Sequence, residues 1–509
     1  MPNVAWCQAS SGEDAARSLP VVLDREKYDA LFQYPPLRRR AAKLFLAIAL
    51  FFVLLIALDH RFGEKMHLHP GKSLDLSHLE EYDLSPTFSY SQRIVKTVHD
   101  VNERKTLTFV NESLFASPPI QIWRGNLSTN VPVTMLPPLP LSIPSDHRSG
   151  TLRVPKKYDS AMFSFGVATS WERLADSIPQ FSHWLGRSQA QLHALVPPDG
   201  EEKRAGVETA IRELEMNITI TPSDLRFSLA YFSLVKHLYE RRTQDTKWLV
   251  LIDDDTFIPS LTALAGHLST NYDASTRKVV SALTDNFNQV HSWGLIPYGG
   301  GGIFVSVPLA AQISQPQVFD QCLQSGGGQG DGVLMECLMN WSEARPTYDP
   351  ALNQMDIKGN PDGLFESGRR MLTTHHWKSW FHVDMHAVSR IWKACGEEGI
   401  LMRFRFNDGI VLSNGYSIVE YGTTAEDLDF HAVELTWDGS KGEFLHRLGP
   451  IREAVPKDKK KTYRMRNTTV LEGGSVRQTY IHEAPIDDER PEERGEDSVL
   501  ELVWLEHSV

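Results

Sequence analysis

Between residues of about 158 and 395, short apolar runs alternate with segments of helical spacing, and no other feature restricts the fold as much. AMFSFGVAT (161–169), LHALVPP (192–198), WLVLI (248–252), VVSAL (279–283) and GGIFVSVPLAAQI (301–313) carry the apolar runs. Between them, WERLADSIPQFSHWL follows Ser170, a residue suited to cap a helix. SDLRFSLAYFSLVKHLYERR (223–242) repeats its apolar residues at helical spacing, and a further helix is expected to begin at Thr256. Strands of this length separated by helices predict an α/β sheet with helices on both faces. In such sheets ligands bind beyond the carboxyl ends of the strands, so those ends are where chemistry is sought.

One strand end stands out. WLVLI runs directly into Asp253, Asp254 and Asp255. Two carboxylates about 4 Å apart repel by roughly 1 kcal/mol in water and roughly 4 at an intermediate dielectric. A helix N-terminus would relieve this, as would a hard divalent cation such as Mg²⁺ or Mn²⁺. Three further stretches carry chemistry. YGGGGIFVS (298–306) puts Gly300, Gly301 and Gly302 where a ligand could approach the backbone. SGGGQGDGVLMECL (325–338) puts Asp331 at the mouth of a helix, as an N-cap or a general base. THHWKSWFHVD (374–384) offers His375 and His376, a turn pair or a source of one metal ligand. Neither a Walker loop, a dinucleotide fingerprint nor H-E-x-x-H is present in the sequence.

The rest of the chain divides by composition. Residues 1–40 end in Arg38, Arg39 and Arg40. LFLAIALFFVLLIAL (44–58) is uncharged, and with Ala41 and Ala42 it predicts a membrane anchor over 41–58. The excess of cations before it predicts a cytosolic N-terminus and a lumenal body, in the Golgi or endoplasmic reticulum. All five N-x-S/T sequons, at Asn111, Asn126, Asn217, Asn340 and Asn467, lie beyond the anchor. Residues 59–155, rich in Pro, Ser and His, read as a stem with strand-like patches at 106–110 and 120–123. A catalytic domain is expected over 156–398, a small accessory β-region over 399–485 and an acidic tail over 486–509. Cys322 and Cys337 flank a short glycine-rich loop and are the expected disulfide. A net charge of −12 argues against nucleic acid as a partner.

Taken in order, FSFGVATSWERL, WLVLIDDDTF, YGGGGIFVS, GDGVLMECL and LTTHHW resemble the Fringe-like β-1,3-glycosyltransferases of family 31, nearest the fungal and plant members of unknown substrate. The likeness spans about 158–395. It implies a GT-A-like mixed sheet, a UDP-sugar donor, Mn²⁺, inversion at the anomeric carbon, and a glycan or glycoprotein acceptor. Carried onto this chain, it implies Asp253 toward the donor ribose and metal, with Asp254 beside it. Asp255 and one of His375 and His376 would bind the metal, and Gly300 to Gly302 would form the floor. Asp331 would be the base, although relatives often carry a second acid there; here Gly330 and Gly332 flank it, leaving Glu336 as the fallback. The competing readings are a lumenal carbohydrate-binding protein without catalysis and a metal-dependent hydrolase.

Overall fold

A computed structural model describes residues 73–505 apart from 101–103, 116–117, 128–130, 133–135, 145–159, 187, 285, 326–327, 439–448 and 486–494. The expected anchor, 41–58, lies outside the described residues. Among those described, no helix is long and apolar enough to cross a membrane.

The alternating segment forms a seven-stranded sheet. Its strands are β1 (Phe163–Ala168), β2 (Gln191–Val196), β3 (Ile218–Pro222), β4 (Trp248–Ile252), β5 (Val279–Ala282), β6 (Tyr298–Ser306) and β7 (Pro346–Tyr348). Their order is β7-β5-β6-β4-β1-β2-β3. β4, β1, β2 and β3 run parallel, whereas β6 runs antiparallel to both neighbours, with Leu251 opposite Ile303. The sheet is therefore mixed. Every residue of β4 and β6 is buried, which accounts for their unbroken apolar or glycine composition. Helix α1 (Trp171–Leu185) starts where expected, Ser170 Oγ accepting from Arg173 N. Helix α2 (Phe227–Arg241) begins later than its Ser-Asp signal, without a side-chain cap. The helix expected from Thr256 begins at Leu261, because Thr256 is bonded into the turn after β4 and Ser260 supplies the cap. Helix α3 (Gly330–Trp341) carries Asp331 in its first turn and buries Cys337, which is bonded to Cys322.

A second sheet of ten strands revises the expected domain plan. The strands at Arg403–Phe406, Ile410–Ser413 and Ser417–Glu420 lead through Lys461–Val470 and Val476–His482 to Asp497–Trp504, which lies parallel to Thr87–Asp100. The segment read as a stem thus contributes an interior strand, and Phe88, Val95, Leu139, Leu141 and Ile143 in it have no exposed surface. The presumed acidic tail likewise includes a strand with Val499, Leu502 and Trp504 buried. The accessory region is neither small nor confined to 399–485. It pairs Thr87–Asp100 with Asp497–Trp504, and its apolar face forms one core with Phe257, Met355 and Trp377 beside the three aspartates.

Candidate metal and donor site

The turn after β4 and the segment around His375 are joined by backbone. Phe257 and Thr374 exchange both N–H···O bonds, at 2.8 and 2.9 Å, and so bring the histidines against the aspartates. Thr373 Oγ1 donates to Gly301 O at 2.8 Å, and Thr256 Oγ1 donates to Gly300 O at 2.9 Å, tying β6 to the same point. The motifs that stand apart in sequence therefore converge.

The three aspartates take different roles. Asp254 is buried and turned away, accepting from two Arg173 guanidinium nitrogens and from the Thr169 hydroxyl. It anchors α1 to the turn. Asp253 keeps 35% of its side chain exposed, and Asp255 only 3%. Their Oδ2 and Oδ1 lie 3.3 and 3.0 Å from His375 Nε2.

The protonation of His375 decides what this cluster requires. Its Nδ1 faces the Gln354 carbonyl at 3.0 Å, an atom that only accepts, so Nδ1 carries the proton. In the neutral imidazole the Nε2 lone pair then points at two carboxylates. Either a second proton or a cation must lie there. Without a cation the ring takes the proton: burial opposes it, but Asp255 and Asp253 raise the His375 pKa well above its usual value. Burial would raise Asp255, and the charged ring overcomes this to hold it far below the usual carboxylate range. A divalent ion satisfies the same atoms. Donors about 2.1 Å from an octahedral ion sit roughly 3.0 Å apart at neighbouring positions, close to both observed separations. The residues fit such an ion, and the Nδ1 bond is the kind of outer contact that orients a ligating histidine.

His376 is used otherwise. The Asp255, His375 and His376 side chains bring ligand atoms within 4.8 Å of one another, so proximity alone would admit both histidines. Hydrogen bonding separates them. His376 Nε2 faces Asp356 Oδ1 at 3.0 Å, and Nδ1 faces Ser379 Oγ at 3.1 Å. Ser379 Oγ in turn donates to Asp255 Oδ2 at 2.7 Å. With both nitrogens engaged and its ring stacked on Trp380 at 3.7 Å, His376 orients Asp255 through Ser379. Asp356, buried and bonded also by Thr284 and Gln354 Nε2, was not singled out from the sequence. Its only signal there was an acid among the polar residues Asn353 and Gln354.

The glycines serve the protein first. A Cβ on Gly300 would lie 2.2 Å from His375 Cε1, and one on Gly301 would lie 2.4 Å from Ala282 Cβ. Gly302 has φ +90°, which favours glycine outright. The space assigned in sequence to a ligand is thus filled by an imidazole and by core packing. On the far side of Gly300, Gly299 N donates to Asp331 Oδ2 at 3.4 Å. Burial and the Asp253 charge push the Asp331 pKa up to about 8, against the opposing Gly299 N–H. Glu336, the fallback base, is exposed on α3.

No protein-family model and no curated protein matches the chain. Among solved structures, it is similar to a galactosyltransferase, LgtC, at 14% identity over 42% of this chain and 86% of that one, with a TM-score of 0.29. Mouse xyloside xylosyltransferase 1 gives 11% identity, 38% and 86% coverage, and 0.27. The bifunctional glycosyltransferase WbbM gives 10%, 52% and 50%, and 0.31. Overlaps of this size do not define a family or an activity; the chemistry of the cluster has to be argued from its own atoms.

Proposed function

We propose that this chain is an inverting, metal-dependent glycosyltransferase that moves a sugar from a UDP-sugar to a glycan or glycoprotein acceptor through a β-1,3-type linkage. One observation carries the reading: His375 Nε2 meets Asp253 and Asp255 at the end of a central strand, beside a partly exposed acid, Asp331, whose pKa is pushed up to about 8. Asp253, Asp255 and His375 would hold the cation, Mn²⁺ by resemblance, which when bound offsets negative charge on the donor diphosphate. Asp331 takes the proton of the acceptor hydroxyl as that oxygen attacks the anomeric carbon, and the nucleoside diphosphate departs from the opposite face. A base of pKa about 8 is largely protonated at neutral pH, and a cation on Asp253 would lower it by cancelling the charge that raises it.

The proposed setting is a type II protein of the Golgi or endoplasmic reticulum membrane, anchored by 41–58. The cation bias before that segment supports it, as does the exposure of Asn111, Asn126, Asn217 and Asn340 within their sequons. A catalytically silent carbohydrate-binding protein is the second reading, favoured by the protein groups that fill the glycine floor.

The test is a panel of UDP-sugars offered to the full-length protein with and without Mn²⁺, read by mass spectrometry for UDP release and sugar transfer. Metal-dependent turnover of one donor is the expected result. Absence of both turnover and metal-dependent UDP binding would remove the enzyme reading.

A further inference from the structure

Tyr231 lies close to both Asp253 and Asp331. It lies on α2, away from every sequence motif of the site, and is 2% exposed. Two glycines give way to it. A Cβ on Gly299 would lie 1.7 Å from Tyr231 Oη, and one on Gly330 would lie 2.6 Å from its ring. These are the residue that donates to Asp331 and the residue that precedes Asp331. The point that lies 1.7 Å from Oη is also 3.3 Å from Asp253 Oδ1, so the hydroxyl sits beneath the proposed reaction centre.

That hydroxyl makes no aligned hydrogen bond. Leaving a buried donor unmade costs about 1–3 kcal/mol, and such groups are rare. Burial, Asp331 and Asp253 all raise its pKa, so the group stays protonated and remains a donor. Its neighbours limit what it can serve. Gly299 N–H already donates to Asp331, Tyr298 offers a second unpartnered phenol, and the acceptors nearby are the two carboxylates. Asp253 turns Oδ2 to His375 and acts on the phenol only as a nearby charge, whereas the Asp331 side chain is the one that approaches Oη closely enough for hydrogen bonding. Hydrogen bonds to catalytic groups are often long before substrate binds and tighten afterwards.

We infer that Tyr231 is a positioning residue: its hydroxyl donates to the Asp331 carboxylate in the substrate complex and, with Gly299 N–H, fixes the oxygen that receives the acceptor proton. The inference rests on the proposed transferase reading. It explains why Gly299 and Gly330 lack side chains, which a ligand floor does not.

Tyr231→Phe in the full-length protein keeps the ring and removes only the oxygen. The expected result is a kcat lower by about tenfold or more. Donor and acceptor KM should change by no more than about twofold, and Mn²⁺-dependent UDP binding should be unchanged. An unaltered kcat overturns the inference. So does a raised KM at preserved kcat, which would put the hydroxyl on substrate, or a joint loss of UDP binding, which would make Tyr231 a packing residue. If the wild-type protein turns over no donor, the transferase reading has failed by itself. The inference is then read from a high-resolution structure with Mn²⁺ and UDP. Oη within about 3.2 Å of an Asp331 carboxylate oxygen upholds it, and a longer separation rejects it.

Discussion

Buried carboxylates occur in both sheets, and their surroundings differ. Glu501, in the ten-stranded sheet, and Glu434, in the short parallel pair Val433–Leu435 and Ile451–Glu453, both have their partners. Glu434 accepts from Lys460, Arg452 and Val455 N–H; Glu501 accepts from Tyr90 and Thr479 and meets His78. Asp254 in the seven-stranded sheet belongs with them, closed by Arg173. Asp253, Asp255 and Asp331 do not. Asp253 and Asp255 share the His375 ring, Asp255 having one further bond from Ser379, and Asp331 has a single long bond from Gly299. Thin partnering at a strand end, rather than burial of charge, separates the site from the scaffold.

This contrast is broken most severely by Asp255→Asn. Replacing the oxygen that faces His375 should abolish Mn²⁺-dependent UDP binding, measured by calorimetry on protein shown to be folded by circular dichroism, and should lower the melting temperature as well because a buried imidazole loses its carboxylate partner. Retained binding would place the cation elsewhere. Asp331→Asn comes next. Turnover should fall by about 10²–10⁴-fold while UDP binding persists. The wild-type rate should rise with pH toward a plateau near or below pH 8, since the base acts when ionised. A flat profile between pH 6 and 9, or an active asparagine variant, would exclude Asp331 as the base.

The scaffold carboxylates should fail in the opposite manner. Glu434→Gln leaves Lys460 and Arg452, each with a largely buried side chain, facing a neutral amide. Loss of stability of roughly 3 kcal/mol is expected, with metal and UDP affinity intact. The Glu434 pKa is lowered: burial opposes this, and Lys460 and Arg452 outweigh it. Its contribution is therefore present above the unfolded glutamate value of about 4.3 and lost as pH falls below it. Denaturant titrations of both proteins at pH 7 and pH 3.5 should show a narrower gap at the lower pH, the remainder closing as pH falls through the lowered folded value; a constant gap would contradict the ion-pair account.

The same contrast explains what could be read in the sequence. The strand, the three aspartates and the histidine pair are local patterns, and all three fall where the periodicity of the chain puts them. Asp254 cannot be distinguished from its neighbours in sequence, because its role depends on Arg173, eighty-one positions earlier. Thr87–Asp100 reads as stem because its partner strand, Asp497–Trp504, is some four hundred residues away, inside a stretch whose acidity masks it. A strand paired at that distance leaves no periodic trace beyond its own length. Gly300 and Gly301, read as the floor for a ligand together with Gly302, are instead approached by His375 and Ala282, which no local pattern announces.

The smallest expected effect tests the division between the two histidines. If His376 orients and His375 ligates, Asp356→Asn removes the carboxylate facing His376 Nε2 while all three proposed ligands remain. Mutating such an outer partner typically weakens metal affinity about 10–100-fold, and here the lower end is expected because Ser379 still bonds Asp255. His375→Ala should instead eliminate measurable Mn²⁺ binding, and His376→Ala should resemble Asp356→Asn. Equal losses in the two histidine variants would mean that both nitrogens reach the metal. The Asp356–His376 bond would then have to open on binding, and Asp356→Asn should tighten Mn²⁺ binding by freeing Nε2. The sign of that one change decides between the arrangements.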